Sequence, residues 1–181
     1  DLDALALKIG ERLRQEGYQV EIQSLHKNAY HCKIKIPNLL QAEGLSHLKE
    51  EKILIQLDAE AQNSSYAAQS VLLNRFDVLT RIRVVPIATL LAQKLYAAFR
   101  RKRIMGRDFY DIMFLWPQTE PDYGYLTEKL GLTNKGDLKA YLENSSKNIA
   151  FTTLAQDLRP FVFQPTDARK VALFPDWIQS I

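Results

Sequence analysis

Tyr30-His31-Cys32-Lys33-Ile34-Lys35-Ile36-Pro37 decides how the first third of this chain is read. Tyr30, Cys32, Ile34 and Ile36 alternate with His31, Lys33 and Lys35, and Pro37 ends the run. A period of two puts the apolar side chains on one face of a strand and the polar ones on the other. Two neighbouring stretches keep the same period. Upstream, Tyr18, Val20 and Ile22 alternate with Gln19, Glu21 and Gln23. Downstream, Lys52 to Asp58 sets Ile53, Ile55 and Leu57 against Lys52, Leu54, Gln56 and Asp58. Short polar links between such runs predict an antiparallel sheet with one buried face. Its other face gathers His31, Lys33, Lys35, Lys52 and Asp58. Ahead of the sheet, Leu2, Leu5, Ile9 and Leu13 recur at spacings of three and four, which predicts a helix that stops at Gly17.

After residue 65 the pattern turns helical. Ile87, Leu90, Leu91, Leu95, Ala98 and Phe99 form an apolar stripe behind Pro86, and a second helix is predicted from about Asp108 to Trp116, stopping before Pro117. Further helical patterns cover Tyr123–Leu130, Lys135–Leu142, Ile149–Leu158 and Asp167–Ile181, with a turn at Asn144-Ser145-Ser146. The expected class is α+β, with a sheet and helix over residues 1–65 and a mostly helical part over residues 66–181.

Composition narrows the function classes. The 181 residues are 46% hydrophobic and 25% charged, which excludes disordered, collagenous and coiled-coil chains. A chain of this length buries roughly 70% of its unfolded surface. No apolar run approaches the roughly 18 residues that span a bilayer, so no membrane partner is expected. The single Cys32 excludes an internal disulfide and a cysteine-built zinc site, which fits a reducing cytoplasmic setting. Charge is unevenly spread. From Arg75 to Arg107 there are nine bases and one acid, Asp77, so this window carries +8 and the remainder of the +3 chain carries −5. Such a window suits a polyanion, nucleotide phosphate or RNA, and equally a solvated helix end.

Within that window the chemistry concentrates. At 100° per residue Lys94 falls between Ile87 and Leu90 on the apolar stripe, so its ammonium must either snorkel to the edge or meet an anion. Asp108 and Asp111 lie three apart on one helix side, with Arg107 just before them. A plainer reading makes Asp108 an N-cap, lets Asp111 favour the helix dipole and pairs Arg107 with Asp111 at four-residue spacing. His26, His31 and His47 lack the spacing of a helical metal site, and no phosphate-binding glycine loop or nucleophile elbow occurs. The aromatics Tyr96, Phe99, Phe109, Tyr110, Phe114 and Trp116 are read mostly as core.

The Lys94-Leu95-Tyr96-Ala97 helix, the Arg100-Arg101-Lys102-Arg103 stretch and Arg107-Asp108-Phe109-Tyr110-Asp111 together resemble the AbiEii/AbiGii-type nucleotidyltransferase toxins, of the DNA polymerase β-like superfamily, over about residues 1–145. The resemblance implies transfer of a nucleotide from an NTP, with Mg²⁺, to an acceptor such as a tRNA 3′ end, within a toxin–antitoxin or phage-defence pair. It implies Asp58 as the third metal-binding carboxylate and Lys94 as a catalytic residue on phosphate. Arg101 and Arg107 would assist at the nucleotide, and Asp108 and Asp111 would fix the nucleotide or the geometry of Lys94.

One departure stands out. The superfamily places an Asp-x-Asp after a Gly-Ser, yet none of the seven glycines here is followed by Ser or Thr. The only Asp-x-Asp is Asp1-Leu2-Asp3, at the start of an amphipathic helix where acids favour the dipole. We do not assign it as the catalytic pair. With no initiator Met, the expectation is that the motif lies upstream of Asp1. The alternative is a catalytically incomplete module that binds RNA or an antitoxin.

Overall fold

The computed structural model describes residues 2–26, 30–59 and 66–181, with His26 by its backbone alone. Asp1, half of the rejected Asp-x-Asp, lies outside the described residues. The chain folds as two units, residues 1–63 and 64–181.

In the first unit, helix α1 (Leu2–Gln15) is followed by strands β1 (Glu21–His26), β2 (Tyr30–Pro37) and β3 (Lys52–Ala59), with a one-turn helix α2 (Leu39–Ala42) between the last two. The sheet is antiparallel in the order β1-β2-β3. Ile34 faces Ile22 on one side and Ile55 on the other, and Cys32 sits between Ser24 and Leu57. This inner face packs on α1 through Ala6, Tyr30, Cys32 and Ile34, with Ile9, Leu13 and Ile22 around them. The expected stripe of α1 is rotated. Ala6 and Gly10 are buried, while Leu2 and Leu5 are exposed. The small residues permit close approach: a Cβ on Gly10 would meet the side-chain end of Ile22. Gly17 ends the helix at φ +93°, a conformation only glycine adopts without strain. The first strand starts at Glu21, three residues later than Tyr18.

The second unit opens with a hairpin, β4 (Gln69–Arg75) and β5 (Val78–Val84), where the sequence pattern after residue 65 predicts helix. The two-residue turn Phe76-Asp77 lacks the Asn-Gly or Gly signal that marks such hairpins, and Arg81 and Arg83 interrupt the apolar run. Helices α3 (Ile87–Arg100), α4 (Gly106–Leu115), α5 (Tyr123–Leu130), α6 (Lys135–Ser146), α7 (Phe151–Leu158), α8 (Arg169–Ala172) and α9 (Phe174–Ser180) complete it. The sequence is thus α+β with a mostly helical second part. Asn144-Ser145-Ser146 is the last turn of α6 and not a loop, because Leu142 and Ser146 keep its buried face continuous.

The helical core centres on Phe109, which is fully buried. Its ring meets Phe99, Phe151 and Phe174 edge to face at 5.4, 5.0 and 4.9 Å, the arrangement that aromatic quadrupoles favour. Trp116 and Trp177 form another such pair at 5.2 Å. Of the aromatics read as core, Phe114 is exposed. No helix among the described residues is long and apolar enough to cross a membrane. Helix α4 reaches this core because Gly106 lets its first turn lie against α7: a Cβ there would run into the backbone carbonyl of Leu154. Gly106→Ala should therefore cost about 1–3 kcal/mol in urea unfolding, the usual range for overpacking. Gly10→Ala should cost less, since only a movable side chain stands in its way.

Candidate active site

Lys94 and Arg101 are seven residues apart, which returns two turns later to the same side of α3. Asp108 and Asp111 share one side of α4. The packing of α3 on α4 brings the two pairs together. Lys94 Nζ lies 2.6 Å from Asp111 Oδ2 and 3.4 Å from Asp108 Oδ1, and Arg101 Nε lies 3.5 Å from Asp108 Oδ2. Asp108 has no solvent exposure, whereas the Lys94 side chain is 26% exposed. A carboxylate taken wholly out of water needs cations beside it. Lys94 therefore meets anions supplied by the protein itself, and the cluster of two cations and two carboxylates is neutral. Asp108 Oδ2 is buried and has no hydrogen-bond partner among the described residues, its contact with Arg101 being too long for one.

Two plainer readings of these acids are corrected. Helix α4 begins at Gly106 behind Met105, so Asp108 is a third-position residue and not the N-cap. Asp111 pairs with Lys94, and no Arg107–Asp111 ion pair exists among the described residues. Arg107 instead lines a cavity of about 320 Å³ together with Arg103, Ile104, Asp157, Leu158 and Phe161, a wall to which Lys94 does not contribute.

Asp58 belongs to the first unit, at the end of β3, directly opposite His31 in the register. It sits on the polar face with Lys33, Lys35 and Lys52, as the alternation predicts. His31 Nδ1 lies 2.7 Å from Asp58 Oδ1, and the ring N–H donates because an ionised carboxylate only accepts. Gln56 Nε2 donates to both carboxylate oxygens at 3.0 and 2.8 Å. The bond from His31, then that from Gln56, holds the Asp58 carboxyl below its ordinary 3.8. Sequence reasoning placed Asp58 and His31 on one polar face; direct opposition across β2 and β3 is the signal that pairs them. His47 is an exposed loop residue, and Cys32 is buried in the sheet core.

The donor set does not make a magnesium site by itself. Mg²⁺ takes oxygen ligands in an octahedron, and the described residues include no group of three or more His, Cys, Asp or Glu arranged for a metal. Asp58 is a single carboxylate shared with an imidazole and an amide, and both oxygens nearest Lys94 face an ammonium.

The geometry is that of an α+β chain with a Lys–Asp cluster between two helices and a carboxylate near the end of a strand on a polar sheet face. The comparison with protein families places this chain: the model described as nucleotidyl transferase AbiEii toxin, type IV toxin–antitoxin system, matches residues 1–174, and the chain belongs to that family. The match extends beyond the residues that first suggested it, through α9's first residue. Neither the curated proteins nor the solved structures yielded a match.

Two measurements check this geometry. Lys94→Met should destabilise the second unit by about 1–3 kcal/mol, because it strands a buried carboxylate. The double variant Lys94→Met/Asp108→Asn should recover part of that in urea unfolding, as coupled neighbours do. For Asp58 the lowered carboxyl value means that its stabilising contact is present above the unfolded value and is lost as pH falls through the folded one. A carboxyl NMR titration should place its midpoint below 3.8, and His31→Ala should raise that midpoint more than Gln56→Ala.

Proposed function

We propose that this chain binds an NTP at the α3–α4 cluster and serves transfer of its nucleotide to the 3′ end of an acceptor RNA of the tRNA class, acting in the cytoplasm as the toxin paired with an antitoxin. Family membership supports the reaction class. The observation that carries the site is the ammonium of Lys94, gripped between Asp111 and the buried Asp108 and still partly open to solvent. In this reading Asp108 and Asp111 position Lys94, Arg101 turns to the nucleotide while counterbalancing Asp108, and Arg107 adds positive charge from the neighbouring cavity. The divalent ion of the family supplies charge neutralisation at the triphosphate when bound. Asp58 contributes one carboxylate to it. Residues 1–181 hold no Gly-Ser followed by Asp-x-Asp, so Asp58 is the metal ligand that this reading draws from them.

A second reading has an observation of its own. The cluster is electrically neutral, so the uncompensated charge of the basic window lies elsewhere on the surface, which suits a module that holds RNA or an antitoxin without catalysis.

The test is NTP binding followed by transfer. With a fluorescent ATP analogue, Lys94→Ala should weaken binding at least several-fold while Lys102→Ala, in the basic link after α3, changes it little; folding of each is checked by circular dichroism. With radiolabelled NTPs, Mg²⁺ and total tRNA, label should pass to RNA when these residues are joined to a Gly-Ser/Asp-x-Asp segment, and Asp58→Asn should abolish it. RNA binding with no NTP binding would give the case to the module.

A further inference from the structure

The β4–β5 hairpin has a division of labour between its faces that neither the core nor the Lys94 cluster uses. In the register, Gln69 faces Val84, Val71 faces Ile82, Leu73 faces Thr80 and Arg75 faces Val78, which makes one side mainly apolar with Arg75 at its turn end. On the other side Ser70 faces Arg83, Leu72 faces Arg81 and Asn74 faces Leu79. Every residue from Gln69 to Arg83 except Leu73 is exposed. At the tip Phe76 is 95% exposed. It holds φ +50°, and Asp77 follows at φ +60°. A bulky aromatic side chain in the left-handed region is an outlier where Asn or Gly would be free of strain. The arginines Arg75, Arg81 and Arg83 form no ion pair among the described residues, and Asp77 is the hairpin's only acid.

A two-stranded hairpin by itself is marginal in water, so a surface this open calls for an occupant. Two uncompensated guanidiniums on one face, Arg81 and Arg83, with a bare aromatic ring at the tip of the same hairpin, match single-stranded nucleic acid, whose phosphates take the arginines and whose bases stack on the ring. We infer that the basic face of the hairpin, headed by Phe76, is the contact surface for a single-stranded segment of the acceptor RNA. This rests on the acceptor class proposed above and is independent of the nucleotide site.

The experiment uses the 181-residue chain and a 5′-fluorescein-labelled single-stranded 12-nucleotide RNA, followed by anisotropy over a salt series. Phe76→Asn removes the ring and favours the turn, so a loss of affinity cannot come from an unravelled hairpin. It should weaken binding roughly ten-fold, and Phe76→Tyr should restore it. Arg81→Gln/Arg83→Gln should lower the slope of log K against log salt by about 1.4, two single-strand phosphate contacts at about 0.7 each. None of these variants should alter binding of the ATP analogue, whereas Lys94→Ala should alter that alone. Unchanged RNA affinity and salt slope in the hairpin variants would overturn the inference. So would a wild-type chain that binds no RNA, and so would hairpin variants that change only the oligomeric state, which would make this face a protein interface. In each case binding of the ATP analogue reports separately on the nucleotide site.

Discussion

A carboxylate with no solvent exposure, Asp108, is the constraint around which the helical unit is arranged. An isolated ion in such surroundings is unsustainable, so its cations must arrive with the fold. Both come from α3, from Lys94 and from Arg101 at the helix end, and both reach it only when α4 lies against α3. The first turn of α4 also lies against α7, where Gly106 admits the backbone of Leu154. One residue after Asp108, Phe109 enters the aromatic core. The ionic and the apolar halves of the unit are thus set by adjacent side chains on a single helical turn, and neither can be moved without the other.

Two of the three acids that the family resemblance selects, Asp108 and Asp58, behave as chemical opposites. Asp108 is dry and counterbalanced, and a buried ion pair of this kind fixes geometry more than it adds stability. Asp58 is wet, on the open face of a sheet, and its partners His31 and Gln56 favour its charged form without shielding it. A positioning role suits the first environment, and a ligand role suits the second. The proposed function draws on both: a fixed cation and a carboxylate that stays ionised at neutral pH.

Much of this was legible from residues alone. The alternation in Tyr30–Pro37 and Lys52–Ala59 forced the register that puts Asp58 among the lysines. The helices at 123–130 and 151–158 follow from apolar spacing. The hairpin was not legible, because its strands are almost wholly exposed and so were never under pressure to keep a clean period of two. Its turn, Phe76-Asp77, has Asp77 to ease positive φ but a bulky Phe where Asn or Gly would signal the hairpin. The partners of Lys94 were half legible. Spacing placed Lys94 on an apolar side and Asp108 with Asp111 on one side of the next helix, but only tertiary packing decides that these anions, and not solvent, meet the ammonium.

The neutrality of the cluster also changes how the basic window is understood. Of its nine bases, Lys94 and Arg101 are compensated by Asp108 and Asp111. The rest of the excess falls in two places, Arg75, Arg81 and Arg83 on the hairpin, and Arg100, Lys102, Arg103 and Arg107 around the link between α3 and α4. Long-range attraction of a polyanion depends on uncompensated charge, so it arises from these surface groups. Lys94 acts at short range, where its two carboxylates hold it in one orientation. Under the proposed function, recruitment and positioning are then separate tasks of one +8 segment, assigned to different residues.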